Sequence, residues 1–136
     1  MKRDRFMLDT NIILGMILKD KYFSKEIRNI IDFNSAHVSV SVEVLKEISY
    51  LKHNGRVDIK MNFEQFMDFF NNKGFEVLPF NQYAAKKYDE LPLFENHKDP
   101  FDRAIIAHTI ANHSTLISTD GKFKKYRRYG LDLVEV

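Results

Sequence analysis

Six carboxylates stand where chemistry could use them: Asp9, Glu43, Glu47, Asp99, Asp102 and Asp120. Asp9 follows the apolar run Phe6-Met7-Leu8, and Asp120 follows the β-rich run Thr115 to Ser118. Asp99 and Asp102 open a helix-like stretch, while Glu43 and Glu47 are i,i+4 neighbours on one helical face. Carboxylates converging in one cleft repel each other, and their pKa values rise until some protonate. A divalent cation relieves that repulsion. Oxygen ligands without cysteine or histidine partners favour Mg²⁺ or Mn²⁺, which commonly bind through carboxylates together with substrate phosphates. The chemistry that suits such a site is metal-assisted phosphodiester hydrolysis.

The elements that must position these acids are legible as alternating short strands and helices. Asn11 is placed to cap a helix running to Leu18, and Phe23, Ile27, Ile30 and Ile31 give a helical stripe within Tyr22 to Phe33. Ala36 to Val40 predicts a strand, after which Ser41 caps a helix carrying Val44, Leu45, Ile48 and Leu51 that stops near Asn54-Gly55. Phe63, Phe66, Met67 and Phe70 predict a helix closed by Asn72-Lys73-Gly74, before a strand from Phe75 to Leu78. Helices over Tyr83 to Leu91 and Phe101 to Ala111 flank a loop from Pro92 to Lys98; Thr115 to Ser118 and Leu131 to Val136 read as strands. Strands separated by helices imply right-handed βαβ units: one α/β domain over residues 1–136, a parallel β-sheet flanked by helices. Ligands of such sheets collect beyond the carboxyl ends of the strands, where Asp9 and Asp120 fall.

The chain has 136 residues, 44% apolar and 29% charged, which fits a single core and disfavours long disorder. It has no cysteine, which excludes thiol catalysis, disulfides and Cys-based zinc sites. The start Met1-Lys2-Arg3-Asp4-Arg5 before an apolar stretch has the outline of a signal peptide, but Asp9 and Asn11 interrupt that stretch and no small-residue cleavage site follows. The run Ile12 to Leu18 is too short to span a bilayer, so a cytoplasmic protein without membrane attachment is expected. The net charge of +2 conceals a basic segment, Lys122 to Tyr129, in which Lys122, Lys124, Lys125, Arg127 and Arg128 alternate with Phe123, Tyr126 and Tyr129. That pattern suits phosphate contacts and base stacking on RNA, or else an amphipathic turn whose rings pack on the core.

The segment Phe6-Met7-Leu8-Asp9-Thr10-Asn11, the pair Glu47-Ile48 followed by Gly55-Arg56, and the block Lys98-Asp99-Pro100-Phe101-Asp102-Arg103-Ala104-Ile105-Ile106-Ala107 with Leu116-Ile117-Ser118-Thr119-Asp120 downstream resemble the PIN-domain ribonucleases, and within them the VapC toxins of type II toxin–antitoxin pairs. The resemblance implies a Mg²⁺- or Mn²⁺-dependent endoribonuclease whose metal-binding, catalytic acids are Asp9, Glu47, Asp102 and Asp120. Thr119, with Thr10 or Asn11, would orient carboxylates or water around the metal. Glu43 is the rival to Glu47, which the spacing to Gly55 favours, and Asp99 is second to Asp102 because it can cap the helix instead. The resemblance also implies RNA as substrate, products with 5′-phosphate and 3′-hydroxyl ends, a small antitoxin as partner and a homodimer. Of the adjacent pair Phe69 and Phe70, one is expected to be exposed for such a partner.

Bland readings stand beside each of these. Asp9 could cap a helix, Glu43 and Glu47 could line a solvated face with Lys46 or Lys52, Asp102 could be a helix-start acid beside a surface Arg103, and Asp120-Gly121 could be a plain turn. His97 lies nearest the expected cleft, as an RNA contact or a loop residue without a role, and His108 and His113 lack zinc-ligand spacing. Two other functions compete: a phosphohydrolase with Asp9 as nucleophile, which wants an acid where Asn11 stands, and a non-catalytic PIN-like module binding RNA or protein.

Overall fold

The computed structural model describes residues 4–18, 21–32 and 35–136, with the side chains of 21–24 left aside. The basic start Met1-Lys2-Arg3, the expected contribution of Phe23 to a helical stripe and the expected end of that stretch at Phe33 lie outside the described residues. In chain order the elements are β1 (Arg5–Leu8), α1 (Thr10–Ile17), α2 (Lys21–Ile30), β2 (His37–Ser41), α3 (Val42–His53), α4 (Phe63–Lys73), β3 (Glu76–Leu78), α5 (Gln82–Glu90), α6 (Pro100–Ala111), β4 (Thr115–Ser118), a 3-10 helix (Gly121–Tyr129) and β5 (Asp132–Glu135).

The five strands form one sheet in the order β3-β2-β1-β4-β5, and every pairing is parallel. The central strands are the most deeply buried. Met7 and Leu8 of β1, Val40 of β2 and all of β4 are shielded from solvent, while β3 and β5 at the edges are only partly covered. This is what a parallel sheet with connecting helices requires, and it explains the continuous rather than alternating apolar runs. The core joins Met7, Leu8, Val40, Leu116 and Ile117 to Ile12, Ile13, Val44, Ile48, Ile105 and Ile106 from the helices. α5 packs along α6, α6 meets α3, and α3 meets α1.

Local chemistry sets the helix ends. Ser41 accepts from the Glu43 amide at 3.1 Å and caps α3, as its position predicts. Asn62 and Gln65 form a reciprocal capping box on α4, and Gly74, at φ +75, closes that helix in the left-handed conformation a side chain would disfavour. Two expectations are corrected. α1 is capped by Asp9, not Asn11, because the helix starts at Thr10 and the Asp9 carboxylate reaches the Thr10 amide at 2.8 Å. On α4, Phe70 is fully buried and Phe69 is half-buried against the core, so the exposed ring is Phe63.

Arg103 is also not a surface residue. Its guanidinium is buried and donates to the carbonyls of Pro92 at 2.6 Å, Leu91 at 3.3 Å and Tyr88 at 3.4 Å, tying the loop between α5 and α6 down onto α6. Arginine suits this task because its planar fork serves several acceptors at once.

Leu116 lies fully buried at the centre of β4. Leu116→Ala is expected to lower unfolding free energy by about 2–5 kcal/mol, the usual cost of emptying such a site. Urea denaturation checks this, and a loss near zero would show that the core is not packed as described.

Candidate metal centre

The chain leaves β1 toward β2 and β3 and later returns to the other side of β1 as β4 and β5. The crevice at such a reversal, beyond the carboxyl ends of β1 and β4, is where open α/β sheets bind ligands. Asp9 sits at the end of β1, and Ser118, Thr119 and Asp120 at the end of β4. α3 brings Glu47, and the start of α6 brings Asp99 and Asp102.

Asp9 is buried, and both of its oxygens are engaged: Oδ1 accepts from the Thr10 amide at 2.8 Å and Oδ2 from the Ser118 hydroxyl at 2.7 Å. Burial pushes its pKa up to about 6, against the lowering effect of those two bonds. Glu47 accepts a hydrogen bond from the Thr10 hydroxyl. Its pKa rises to about 7, chiefly through burial, with the charges of Asp9 and Asp99 adding to the rise. Asp102 rises furthest, to about 8, through burial and then the fields of Asp9, Asp99, Glu47 and Asp120. Asp99 caps α6 by accepting from the amides of Phe101 and Asp102, and Asp120 caps the 3-10 helix by accepting from the Lys122 amide at 2.9 Å.

Ligand atoms of Glu47, Asp99 and Asp102 lie within 4.8 Å of one another, as do those of His97, Asp102 and Asp120. Asp102 is common to both groups, and the field of Asp9 reaches Glu47 and Asp102. The donor set is almost entirely carboxylate oxygen, which fits a hard divalent cation that keeps part of its water shell. Asp99 therefore caps a helix and also stands among the clustered acids. Glu43 belongs to neither group: its carboxylate pairs with Lys46 at 3.2 Å. Asn11 and Thr119 share a 3.4 Å hydrogen bond on the exposed rim.

The basic segment divides differently from the base-stacking expectation. Phe123 and Tyr126 are fully buried and face the core, leaving Tyr129 as its only substantially exposed ring. Among the cations, Lys122 and Lys124 are exposed, Lys125 donates to Asn96 at 2.6 Å, and Arg127 donates to the Leu133 carbonyl at 3.1 Å. Three groups at the site have roles that the sequence does not announce. Ser118, inside an apolar strand, bonds Asp9; His97 is buried and bonds Asp102 at 3.1 Å; Tyr126 bonds the other side of the His97 ring at 2.8 Å. The only sequence signal for His97 was its closeness to Asp99 and Asp102. Burial holds its pKa below the ordinary histidine value. The Asp9–Ser118 pair is separated by 109 positions, so no local pattern announces it.

A parallel sheet with acids gathered at its topological switch defines a class of α/β domains with an acidic crevice beyond the strand ends. Within that class, residues 6–129 match the PIN domain family, and the chain belongs to it. No curated protein matches the sequence. Among solved structures, the chain is similar to VapBC2 from Rickettsia felis, bound to a DNA fragment from its promoter, with 22% identity over 97% of this chain and 98% of that one and a TM-score of 0.69. It is also similar to DNA-bound VapBC from Salmonella typhimurium (20% identity, 96% and 97% covered, TM-score 0.63). VapBC-5 from Mycobacterium tuberculosis, of the VapBC family of toxin-antitoxin systems, is a third (15% identity, 98% and 99% covered, TM-score 0.61). At these identities the likeness is one of fold. Among the described residues, no helix is long and apolar enough to cross a membrane.

The raised carboxyl pKa values have a consequence for stability. The unfolded chain releases these protons near pH 4, whereas the folded protein keeps them until about pH 6 at Asp9, 7 at Glu47 and 8 at Asp102. The folded state binds more protons across that window, so stability falls as pH rises through it. In the absence of divalent cation, Tm is expected to decline from about pH 5 to about pH 8, and Asp102→Asn to flatten the upper part of the decline. A Tm independent of pH across this window would contradict the burial of these acids.

Proposed function

We propose that this protein is a Mg²⁺- or Mn²⁺-dependent endoribonuclease that acts as the toxin of a type II toxin–antitoxin pair. The observation that carries the reading is the convergence of Asp9, Glu47, Asp99, Asp102 and Asp120 at the β1/β4 switch point, with three of their pKa values raised by burial and mutual repulsion. PIN domains are typically metal-dependent nucleases, and the similar folds include members of toxin–antitoxin systems.

In this reading Asp9, Glu47, Asp102 and Asp120 hold the cation, and Asp99 is close enough to join them. When bound, the cation supplies Lewis acidity at the scissile phosphate and lowers the pKa of the attacking water. The chain's own residues set the geometry: Ser118 and the Thr10 amide fix the Asp9 carboxylate, and the Thr10 hydroxyl fixes Glu47. Thr119 and Asn11, paired on the rim, are placed to orient groups entering the crevice. Lys122, Lys124, Lys125, Arg127 and Arg128 supply positive charge along the 3-10 helix that begins at Asp120, and RNA phosphates would lie along it. Their contacts would be electrostatic, since two of the three rings are in the core. Cleavage would leave 5′-phosphate and 3′-hydroxyl ends in a cytoplasmic RNA. The antitoxin and a second copy of the chain complete the reading as partners. Tyr50 and Phe63, both exposed, line a groove beside α3 together with half-buried Phe101 and offer apolar surface for a protein to cover.

The purified protein with Mn²⁺ is expected to cut RNA endonucleolytically. Asp9→Asn and Asp102→Asn should each lower the rate by at least about 100-fold with circular dichroism and Tm retained. Equal cutting by wild type and both variants would sink the proposal. Glu47→Gln should lose activity comparably and Glu43→Gln should keep most of it, measured on the same RNA; the reverse ranking would move the helix acid one turn toward the N-terminus.

A further inference from the structure

His97 lies in the loop before α6, where a chain of contacts determines its position. Arg103 holds the end of α5 and the start of this loop by three carbonyls. Within it, the His97 amide donates to the Phe94 carbonyl at 3.1 Å, and the Phe94 ring stands edge-on to Tyr126 with centroids 5.2 Å apart. The imidazole is 4% exposed and sits between Phe123 and Tyr126, 5.4 Å from each ring centroid. Both nitrogens are engaged: Nδ1 with the Tyr126 hydroxyl at 2.8 Å and Nε2 with Asp102 Oδ2 at 3.1 Å.

These partners determine the direction of the hydrogen bonds. A carboxylate that binds a cation is ionised and only accepts, so in that state Nε2 carries the proton toward Asp102. Nδ1 of the neutral ring is then an acceptor, and the tyrosine hydroxyl must donate to it. The resulting relay, Tyr126 to His97 to Asp102, ends on the acid common to both ligand-capable groups. With Oδ2 held on the imidazole side, Oδ1 is the Asp102 oxygen outside that bond, in a carboxylate with a ligand atom within 4.8 Å of those of Glu47 and Asp99. Contact with RNA is incompatible with 4% exposure, and direct ligation through Nε2 would require giving up the bond to Asp102.

We propose that His97 is a positioning residue for this site: its Nε2–H locks the Asp102 carboxylate in the orientation that presents Oδ1 to a cation, and Tyr126 fixes the tautomer that makes this possible. The proposal rests on the reading of the acids as a cation site. Partners of this kind orient ligands in many metal centres, and their loss typically costs 10- to 100-fold in affinity.

The test is Mn²⁺ binding, followed by titration calorimetry and electron spin-echo spectroscopy, with Tm recorded for every variant. His97→Leu is expected to weaken Mn²⁺ binding about 10- to 100-fold. His97→Gln, which keeps an N–H donor at the reach of Nε2, should recover most of it, and Tyr126→Phe should weaken binding by a smaller factor. The wild-type echo should show no directly bound nitrogen. Wild-type affinity in His97→Leu, failure of folded His97→Gln to rescue, or a nitrogen coupling from a ligating imidazole would each overturn the proposal. Should His97→Leu fail to fold, the glutamine variant and the wild-type spectrum still decide it. Asp102→Asn separates the two levels: if that variant also binds Mn²⁺ normally, the cation-site reading itself has failed rather than the role of His97.

Discussion

Negative charge concentrated in a crevice where Asp9 is buried and Glu47 and Asp102 are half-buried is the constraint on which this structure turns. Five carboxylates meet where the sheet reverses direction, and among the described residues none of them pairs with a lysine or arginine side chain. Their partners are neutral donors instead: backbone amides for Asp9, Asp99 and Asp120, hydroxyls for Asp9 and Glu47, and an imidazole for Asp102. A neutral donor orients a carboxylate without cancelling its charge. Glu43 shows the contrast, since Lys46 neutralises it one helical turn from Glu47.

The fold makes this concentration of charge tolerable through its helix ends. Asp9, Asp99 and Asp120 are each the N-cap of a helix, and Asp102 lies in the first turn of α6. Helix N-termini carry partial positive charge and unpaired amides, so the residues that create the repulsion also answer the amides' need for acceptors. The helix-cap and metal-site readings of these acids are therefore compatible. One carboxylate oxygen of Asp99 or Asp120 serves the helix, leaving the other available to the crevice.

Much of the fold could be read in advance because its strands and helices are separated by clear stop signals, such as Gly74 and the Asn54-Gly55 pair, and because buried parallel strands leave continuous apolar runs. The acids too were visible, since strand ends in such a sheet are known positions once the strands are placed. What remained hidden depends on packing between distant segments. Tyr126 looked like a stacking platform for bases because it alternates with lysines and arginines, yet a 3-10 helix turns it inward to meet His97. Arg103 looked superficial beside Asp102, whereas the carbonyls of α5 and the following loop that it serves lie 11 to 15 positions earlier.

Arg127 joins the basic segment to a different problem of sheet proteins. Its guanidinium occupies the carbonyl of Leu133 on β5, the last strand on its side of the sheet. An outermost strand offers unsatisfied backbone groups to any extended peptide that approaches. A charged side chain seated on one of those groups removes an attachment point and places a cation where a neighbouring strand would have to lie. The same stretch that gives the surface its positive charge thus also guards the sheet against growing by one strand.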